Sequence, residues 1–517
     1  MDTSFGTGGI ATVTIGTDAQ AAAVAVDASG KIVVAGRVFN GTNWDFAIAR
    51  FNTSGSLDTT FGTGGKVLID FGGNDFARAL TIDGFGRIVV AGETNAGGNL
   101  DFAVARYDVD AGALDPTFGL VGKVTTDFGS LTDDAAYGVR VDALGRIVAV
   151  GQTGTGSASD FAVARYTNAG ALDTTFSGDG LATVDFSGGA DAGRAVTFDG
   201  SGKILISGSG FNGTDDDFAA AKLKLDGTLD TAFSGDGKAL YDFGGAADAA
   251  NAAAMDGSGK LVLAGKSGAD FAVARVLTDG SLDPTFSGDG KATADFGGAD
   301  AANAVAIDGS ARIVLAGQAT DSGNLAFGLA RFRPDGNLDL LFGTNGKVVT
   351  NITPGADVAA GITVDASGKL VVAGWTDAGG GASAVTVARY HSQNPNIPPT
   401  LTGVPASATI PELSAYTFDA DATDPDLPPQ ALTFGLVDAP AGAAIDPITG
   451  VFTWTPSEAQ GPGVYTFQVR VDDGIDVTQQ SITLTVTEVN VAPTLTGVPS
   501  SVTIDEMVAY TFTAVAT

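Results

Sequence analysis

Between residues 1 and about 391 the polar and apolar positions fall into short runs that recur in a fixed order. In the second copy the runs are KVLIDF (66–71), ARALTI (77–82), RIVVAG (87–92) and DFAVARY (101–107). Short runs rich in β-branched residues, bounded by Gly and Asp clusters, predict strands. Side chains alternate across a strand, so Phe102, Val104 and Arg106 share one face and Ala103 and Ala105 the other. The second run is alanine-rich in some copies, such as DAANAAAM (248–255), and alanine favours helix. Its aligned copies ARALTI, GVRV and AVTF alternate, so a strand is predicted in all seven.

Three anchors set the period. LDTTF (57–61) returns in variants starting at 114, 172, 229, 282 and 338, and MDTSF at the start is a seventh copy. Its Phe falls at 5, 61, 118, 176, 233, 286 and 342. KIVVAG (31–36) also has seven copies. DFAVAR recurs verbatim at 101–106, 160–165 and 270–275, with looser copies at 45–50, 217–222, 326–331 and 384–389. Four strands in seven copies predict a seven-bladed β-propeller, because a four-stranded unit is marginal alone and stacking around a ring buries both its faces. The alanine face of DFAVAR would admit one neighbouring blade closely; the Phe face would fill the next gap.

Repeated polar positions read as structural. Hairpins of the DGSGK type begin on Asp27, Asp83, Asp142, Asp199, Asp256, Asp308 and Asp365 and carry a glycine three residues on. Ala311 replaces that glycine in the sixth copy, where a left-handed backbone would strain it by about 1 kcal/mol. Arg50, Arg106, Arg165, Arg275, Arg331 and Arg389, with Lys222 in the remaining copy, are expected to pair with repeat-encoded aspartates, because a buried arginine needs a partner. A further set, Asp18, Asp75, Asp134, Asp191, Asp248, Asp300 and Asp357, precedes the second run. It is either a ring of carboxylates that concentrates cations or a set of backbone caps at strand starts. FSGDG (176–180) resembles a calcium loop, but Val121 stands at the candidate ligand position of another copy, so it reads as a turn.

At HSQNPNIPPTLTGVP (391–405) glycine falls and proline rises, which marks a linker. Short alternating strands follow and predict a β-sandwich of about 90 residues with Trp454 and Tyr465 in its core. A second copy begins at 490, offset by 94 residues, and stops after two strands, so the sequence reads as a fragment at both ends.

Composition narrows the chemistry. The 517 residues carry 27 Lys and Arg against 59 Asp and Glu, a formal charge of −32, which repels nucleic acid and anionic lipid. There is no cysteine, and no apolar stretch long enough to span a membrane. The single histidine, His391, lies in the linker, so no Ser–His–Asp set can form around it. Specificity is expected in the loops that differ most between blades. Trp44 and Trp375 fall in or beside them, in the first and last blades, and would either stack on a sugar or pack at the closure seam.

The anchors LDxxFGxxGKV, DGxGKIVVAG and DFAxARY resemble the delta-60 repeats, a bacterial β-propeller family that implies a fold and no activity. The C-terminal module, with ATDPD, VRVDDG and TVTEVNVAP, resembles bacterial cadherin-like and Ig-like domains, including the dystroglycan-type cadherin-like group. That resemblance implies calcium at domain junctions. Asp424, Asp426 and Asp473 would act with Asn396 at one junction, and Glu412 with Glu488 and Asn490 at the other. The alternative is that these acids are solvated turn residues.

The expectation is an all-β chain: a seven-bladed propeller (1–391), a linker (392–399), an Ig/cadherin-like sandwich (400–489) and a truncated start of a second sandwich (490–517). The expected role is a non-enzymatic adhesion or scaffold protein at a bacterial surface or outside the cell. Its partners would be calcium and a cell-surface protein or polysaccharide, with no nucleic acid and no membrane insertion. A lectin-like propeller and a secreted propeller glycosidase or lyase are the competing readings.

Overall fold

The computed structural model describes residues 1–108, 110–129, 132–245, 247–392, 398–424, 431–474, 476–490 and 492–517. They form two units, 1–394 and 395–517, and contain no α-helix.

In the first unit seven four-stranded antiparallel sheets form the blades. The first contains Asp18–Val26, Ile32–Phe39, Trp44–Phe51 and Lys66–Ile69, from the inner to the outer strand. KVLI of each repeat is thus the outer strand of the preceding blade, so the blade frame is offset by one strand from the sequence frame used above. The last blade takes Asp357–Val364, Leu370–Gly379 and Ala382–Tyr390 from the end of the repeats. Its outer strand is Ile10–Val13 from the N-terminus, with Ile10 opposite Ala388 and Thr12 opposite Thr386. Each inner strand packs on the next and the seventh on the first, so the ring closes.

The faces of DFAVAR separate as the strand period requires. Ala103 and Ala105 pack with Phe46 and Ile48 of the preceding blade; Phe102 and Val104 pack with Ala162 and Ala164 of the following one. Arg106 ends the strand with Nε 2.9 Å from Asp115, over the Phe118 ring at 4.7 Å, and with Nη1 donating to the Asn168 carbonyl of the next repeat. Arg50, Arg165, Arg275, Arg331 and Arg389 pair in the same way with Asp58, Asp173, Asp283, Asp339 and Asp2. The LDxxF anchor therefore supplies both the counter-ion and the ring for the arginine of DFAVAR. Lys222 differs: it pairs with the hairpin residue Asp199 at 2.9 Å. Ala311 adopts φ 59°, the strained left-handed conformation expected of it.

All seven inner strands carry a β-bulge opposite the glycine of the VVAG-type run. A Cβ on Gly36, Gly92, Gly151, Gly208, Gly265, Gly317 or Gly374 would lie 1.8–2.0 Å from an inner-strand carbonyl oxygen. Only glycine lets the inner strand bend over its neighbour here. A bulge re-aims the side chain of its extra residue.

In the second unit Ser407–Pro411, Val477–Thr487, Gly463–Asp472 and Thr433–Val437 form one sheet. Tyr416–Asp419, Val451–Trp454 and Ala444–Ile445 form the facing sheet. Their core holds Phe452, Trp454, Phe467, Val469, Ile482 and Leu484. Tyr465 is half-buried against Trp454 at 5.1 Å. In 492–517, Leu495–Thr496 pairs with Val515–Ala516, and Ile504, Met507 and Phe512 are exposed.

Candidate binding site at the propeller axis

The bulge residues are Ala22, Arg78, Tyr137, Arg194, Asn251, Asn303 and Ala360, one per blade, and they line the axis. A cavity of about 290 Å³ opens there, walled also by Gln20, Arg37, Phe76 and Trp375. A second of about 160 Å³ shares Ala22, Arg78, Tyr137, Arg194, Asn251 and Ala360 and adds Arg140. The repeat frame thus places seven different side chains at one level and leaves their chemistry free.

That chemistry is cationic. Four arginines and no acid line the two cavities. Arg78 pairs with the buried Glu93 at 2.6 Å. Burial pushes the Glu93 carboxyl up, opposed by Arg78, Arg37 and Arg194. Arg37 donates to Gln20 Oε1 at 2.6 Å and lies over the Trp44 ring at 4.6 Å; burial and the charge of Arg78 lower its pKa. Arg194 stacks on Tyr137 at 4.6 Å, and its buried Nε has no hydrogen-bond partner. Burial raises the Tyr137 hydroxyl pKa. Asn251 and Asn303 donate to the carbonyls of Ala302 and Ala359, which fixes their side chains at 2.9 Å.

Of the tryptophans singled out, Trp375 lines the mouth and Trp44 stands behind it, packed on Phe39, Phe76 and Arg37. Both lie in strands: Trp375 is within Leu370–Gly379 and Trp44 opens Trp44–Phe51. Of the two readings of the strand-start aspartates, the structure shows backbone caps and not an open ring. Asp75, Asp134, Asp191, Asp248, Asp300 and Asp357 are buried and each accepts the main-chain N–H of Phe71, Phe128, Phe186, Phe243, Phe296 or Ile352 at 2.6–2.9 Å. Asp18 accepts the N–H of Ser383.

In the sandwich, Glu412 is buried, its Oε1 accepts the N–H of Val489 at 2.8 Å, and its Oε2 has no partner. Val489 lies between Glu488 and Asn490, both exposed, so these three candidates are neighbours. Asp473 is buried and accepts the N–H of Asp476 across a hairpin. Asp424 is half-buried at the end of its strand. Asp426 and Asn396 lie outside the described residues.

The axial residues vary within strands, whereas variability between blades is expected in loops. Aligned by the strand-start aspartate, the third following residue reads Arg, Tyr, Arg, Asn, Asn, Ala in blades two to seven, amid small neighbours. The residue after the VVAG-type glycine varies as widely, from Arg37 and Glu93 to Trp375.

No curated protein matches the chain. Among solved structures it is similar to polysaccharide lyase Uly1, at 12% identity over 71% of this chain and 89% of that one, TM-score 0.37. It is similar to a DUF4623 family protein from Bacteroides eggerthii, at 10% identity over 72% and 71%, TM-score 0.33. A third is a SusE-like surface located polysaccharide binding protein from Bacteroides thetaiotaomicron, at 12% identity over 55% and 51%, TM-score 0.16. Among the described residues no helix is long and apolar enough to cross a membrane. A propeller followed by an Ig-like domain fits a surface or extracellular protein. Residues 28–61, 86–118, 145–176, 200–233, 257–286, 312–342 and 366–393 match the family described as "Domain of unknown function (DUF5122) beta-propeller", and residues 398–487 the one described as "Putative Ig domain". The propeller is thus built of seven repeats of the DUF5122 β-propeller family, followed by a domain of the second family.

Proposed function

We propose that the chain is a non-enzymatic surface or extracellular binding protein whose propeller takes an acidic saccharide at its axial mouth, in the service of adhesion. The observation that carries this reading is the sign of the lining: four arginines and no acid in a chain of net charge −32. A uronate sugar offers what these walls complement. Its carboxylate suits a guanidinium fork, its ring faces suit Tyr137, Phe76 and Trp375, and its hydroxyls suit Gln20 and the asparagines. Calorimetric titration with a galacturonate trimer tests it, with maltotriose as the neutral control. Saturable binding of the acidic trimer alone is expected, weakening with salt, and Arg194→Ala should weaken it by about tenfold, the worth of one hydrogen bond to a charged group. Equal binding of both trimers, or no effect of Arg194→Ala, overturns the reading.

A second reading, calcium held in the sandwich beside Glu488 and Asn490, is favoured by the unpartnered Oε2 of Glu412. Glu412→Gln should remove one calcium equivalent per chain; an unchanged stoichiometry refutes it.

A further inference from the structure

The seams between consecutive blades hold a second recurring arrangement. At the first seam, Asp45 lies in the third strand of blade one, Asp70 directly follows its outer strand, and Asp75 opens the inner strand of blade two. Each offers a carboxylate oxygen within 4.8 Å of the others. Asp101, Asp127 and Asp134 repeat this at the second seam and Asp160, Asp185 and Asp191 at the third. Asp217, Asp242 and Asp248 do so at the fourth and Asp270, Asp295 and Asp300 at the fifth.

At the first and fourth seams the protein leaves this oxygen cluster short of partners. Asp45 is 5% exposed and Asp217 3% exposed. Each spends Oδ2 on an asparagine, Asn40 or Asn212, while Oδ1 is buried without a hydrogen bond. Asp75 and Asp248, 0% and 1% exposed, spend Oδ2 on a main-chain N–H and leave Oδ1 equally unpartnered. Among the described residues no lysine or arginine forms an ion pair with any of the six. Lys123 and Lys291 reach only the main-chain carbonyls of Asp70 and Asp242. Burial raises the pKa of Asp75 and Asp248, opposed by the main-chain N–H and the nearby hydroxyl of Thr94 or Ser267, and the neighbouring acids add to the rise.

The chain carries its own comparison. At the sixth seam the corresponding positions are Ala326, Asn351 and Asp357. There Asp357 is fully served, its Oδ2 by the N–H groups of Ile352 and Thr353 and its Oδ1 by the Thr353 hydroxyl. At the second, third and fifth seams the protein likewise serves Oδ1 of the strand-start aspartate, through the Thr132 hydroxyl and the N–H groups of Phe211 and Thr320. Only at the first and fourth seams, with two further carboxylates beside it, is that oxygen left open. A buried acceptor is normally paired, and clustered carboxylates without a cation repel one another.

We propose that the Asp45–Asp70–Asp75 and Asp217–Asp242–Asp248 clusters each bind a calcium ion that ties one propeller blade to the next. Three carboxylates on loop and strand ends suit calcium, which takes six to eight oxygens in adaptable geometry, with carbonyls and water completing the shell. Magnesium demands a near-ideal octahedron and dehydrates reluctantly.

Titration of the full chain with calcium chloride, and separately with magnesium chloride, tests this. Asp70 and Asp242 are exposed, so Asp70→Asn/Asp242→Asn should fold normally. That double variant should bind two fewer calcium equivalents than the parent, and calcium should raise its thermal midpoint less. Asp179→Asn, which removes an exposed turn carboxylate outside the clusters, should change neither. The Glu412 set is intact in both variants, so its own success or failure does not alter the difference. Equal calcium stoichiometry in the parent and the double variant overturns the proposal, as does the absence of saturable calcium binding at millimolar concentration.

Discussion

The glycine that faces each inner-strand bulge gives the sharpest test of how repeat and site are connected. In the fifth blade Gly265 lies opposite Ala250, and a methyl group there would sit 1.8 Å from the Ala249 carbonyl oxygen, 2.8 Å from its carbon and 2.9 Å from the Ala250 Cα. Real Cβ atoms stay beyond 3.0 Å, and every obstructing atom is backbone, so the inner strand must retreat by more than an ångström. Overpacking of this kind costs about 1–3 kcal/mol, and each ladder hydrogen bond lost in the retreat adds about 1 kcal/mol. Gly265→Ala should therefore destabilise by about 3 kcal/mol or more. Gly259, six residues earlier in the hairpin, has φ 82° with open space around its Cβ position. Gly259→Ala should cost only the left-handed strain of about 1 kcal/mol, as Ala311 already does in the next blade. Urea unfolding of both variants, followed by far-ultraviolet circular dichroism, separates the two: the first should shift the midpoint at least twice as far as the second at unchanged slope. Equal shifts would refute the claim that the bulge imposes this glycine.

Asp339→Ala should destabilise by about 3–5 kcal/mol, because it strands the fully buried charge of Arg331. Replacing both, Asp339→Ala with Arg331→Met, should recover a large part of that in the same urea assay. The Lys31 hydrogen bond, together with Thr60 and Arg50 and against a burial penalty, holds the Asp58 carboxyl well below its ordinary range. Despite burial, Lys222 and the hairpin donors hold Asp199 at about 2. A depressed carboxyl contributes stability that is complete above the unfolded value near pH 4 and is lost as pH falls through the folded value. Asp58→Asn should therefore lower stability at pH 7 and flatten the decline between about pH 4 and 2 in thermal melts across that range.

Much of the propeller was legible because each repeat states the same packing problem. Period-two alternation in DFAVAR divides into two blade contacts, and LDxxF supplies the counter-ion and the ring for its arginine. The strand frame was not legible in the same way: KVLI precedes ARALTI within one repeat but hydrogen-bonds backwards, to the strand before it, because the closing strand comes from the other end of the chain. Nor was the bulge, a local register shift that alanine-rich strands do not announce. Without it Arg78, Tyr137 and Arg194 read as ordinary alternating positions. The seam clusters combine aspartates about 25 residues apart with ones five to seven apart, and of the three only the strand-start aspartate stands out in the sequence. In the sandwich, Glu412 and the 488–490 segment are brought together by the parallel pairing of Ser407–Pro411 with Val477–Thr487.

All of these assignments depend on the N-terminal strand completing the seventh blade, which brings seven bulges onto one axis. Thr12 and Thr386 face each other there with hydroxyl oxygens 3.2 Å apart, and the chain has no native cysteine. Thr12→Cys/Thr386→Cys, oxidised and analysed by non-reducing electrophoresis and peptide mass mapping, measures closure directly. A closed ring gives an intramolecular disulfide joining these two positions in nearly every monomer. Thiols that stay reduced, or that link only between chains, would contradict a propeller closed in this way.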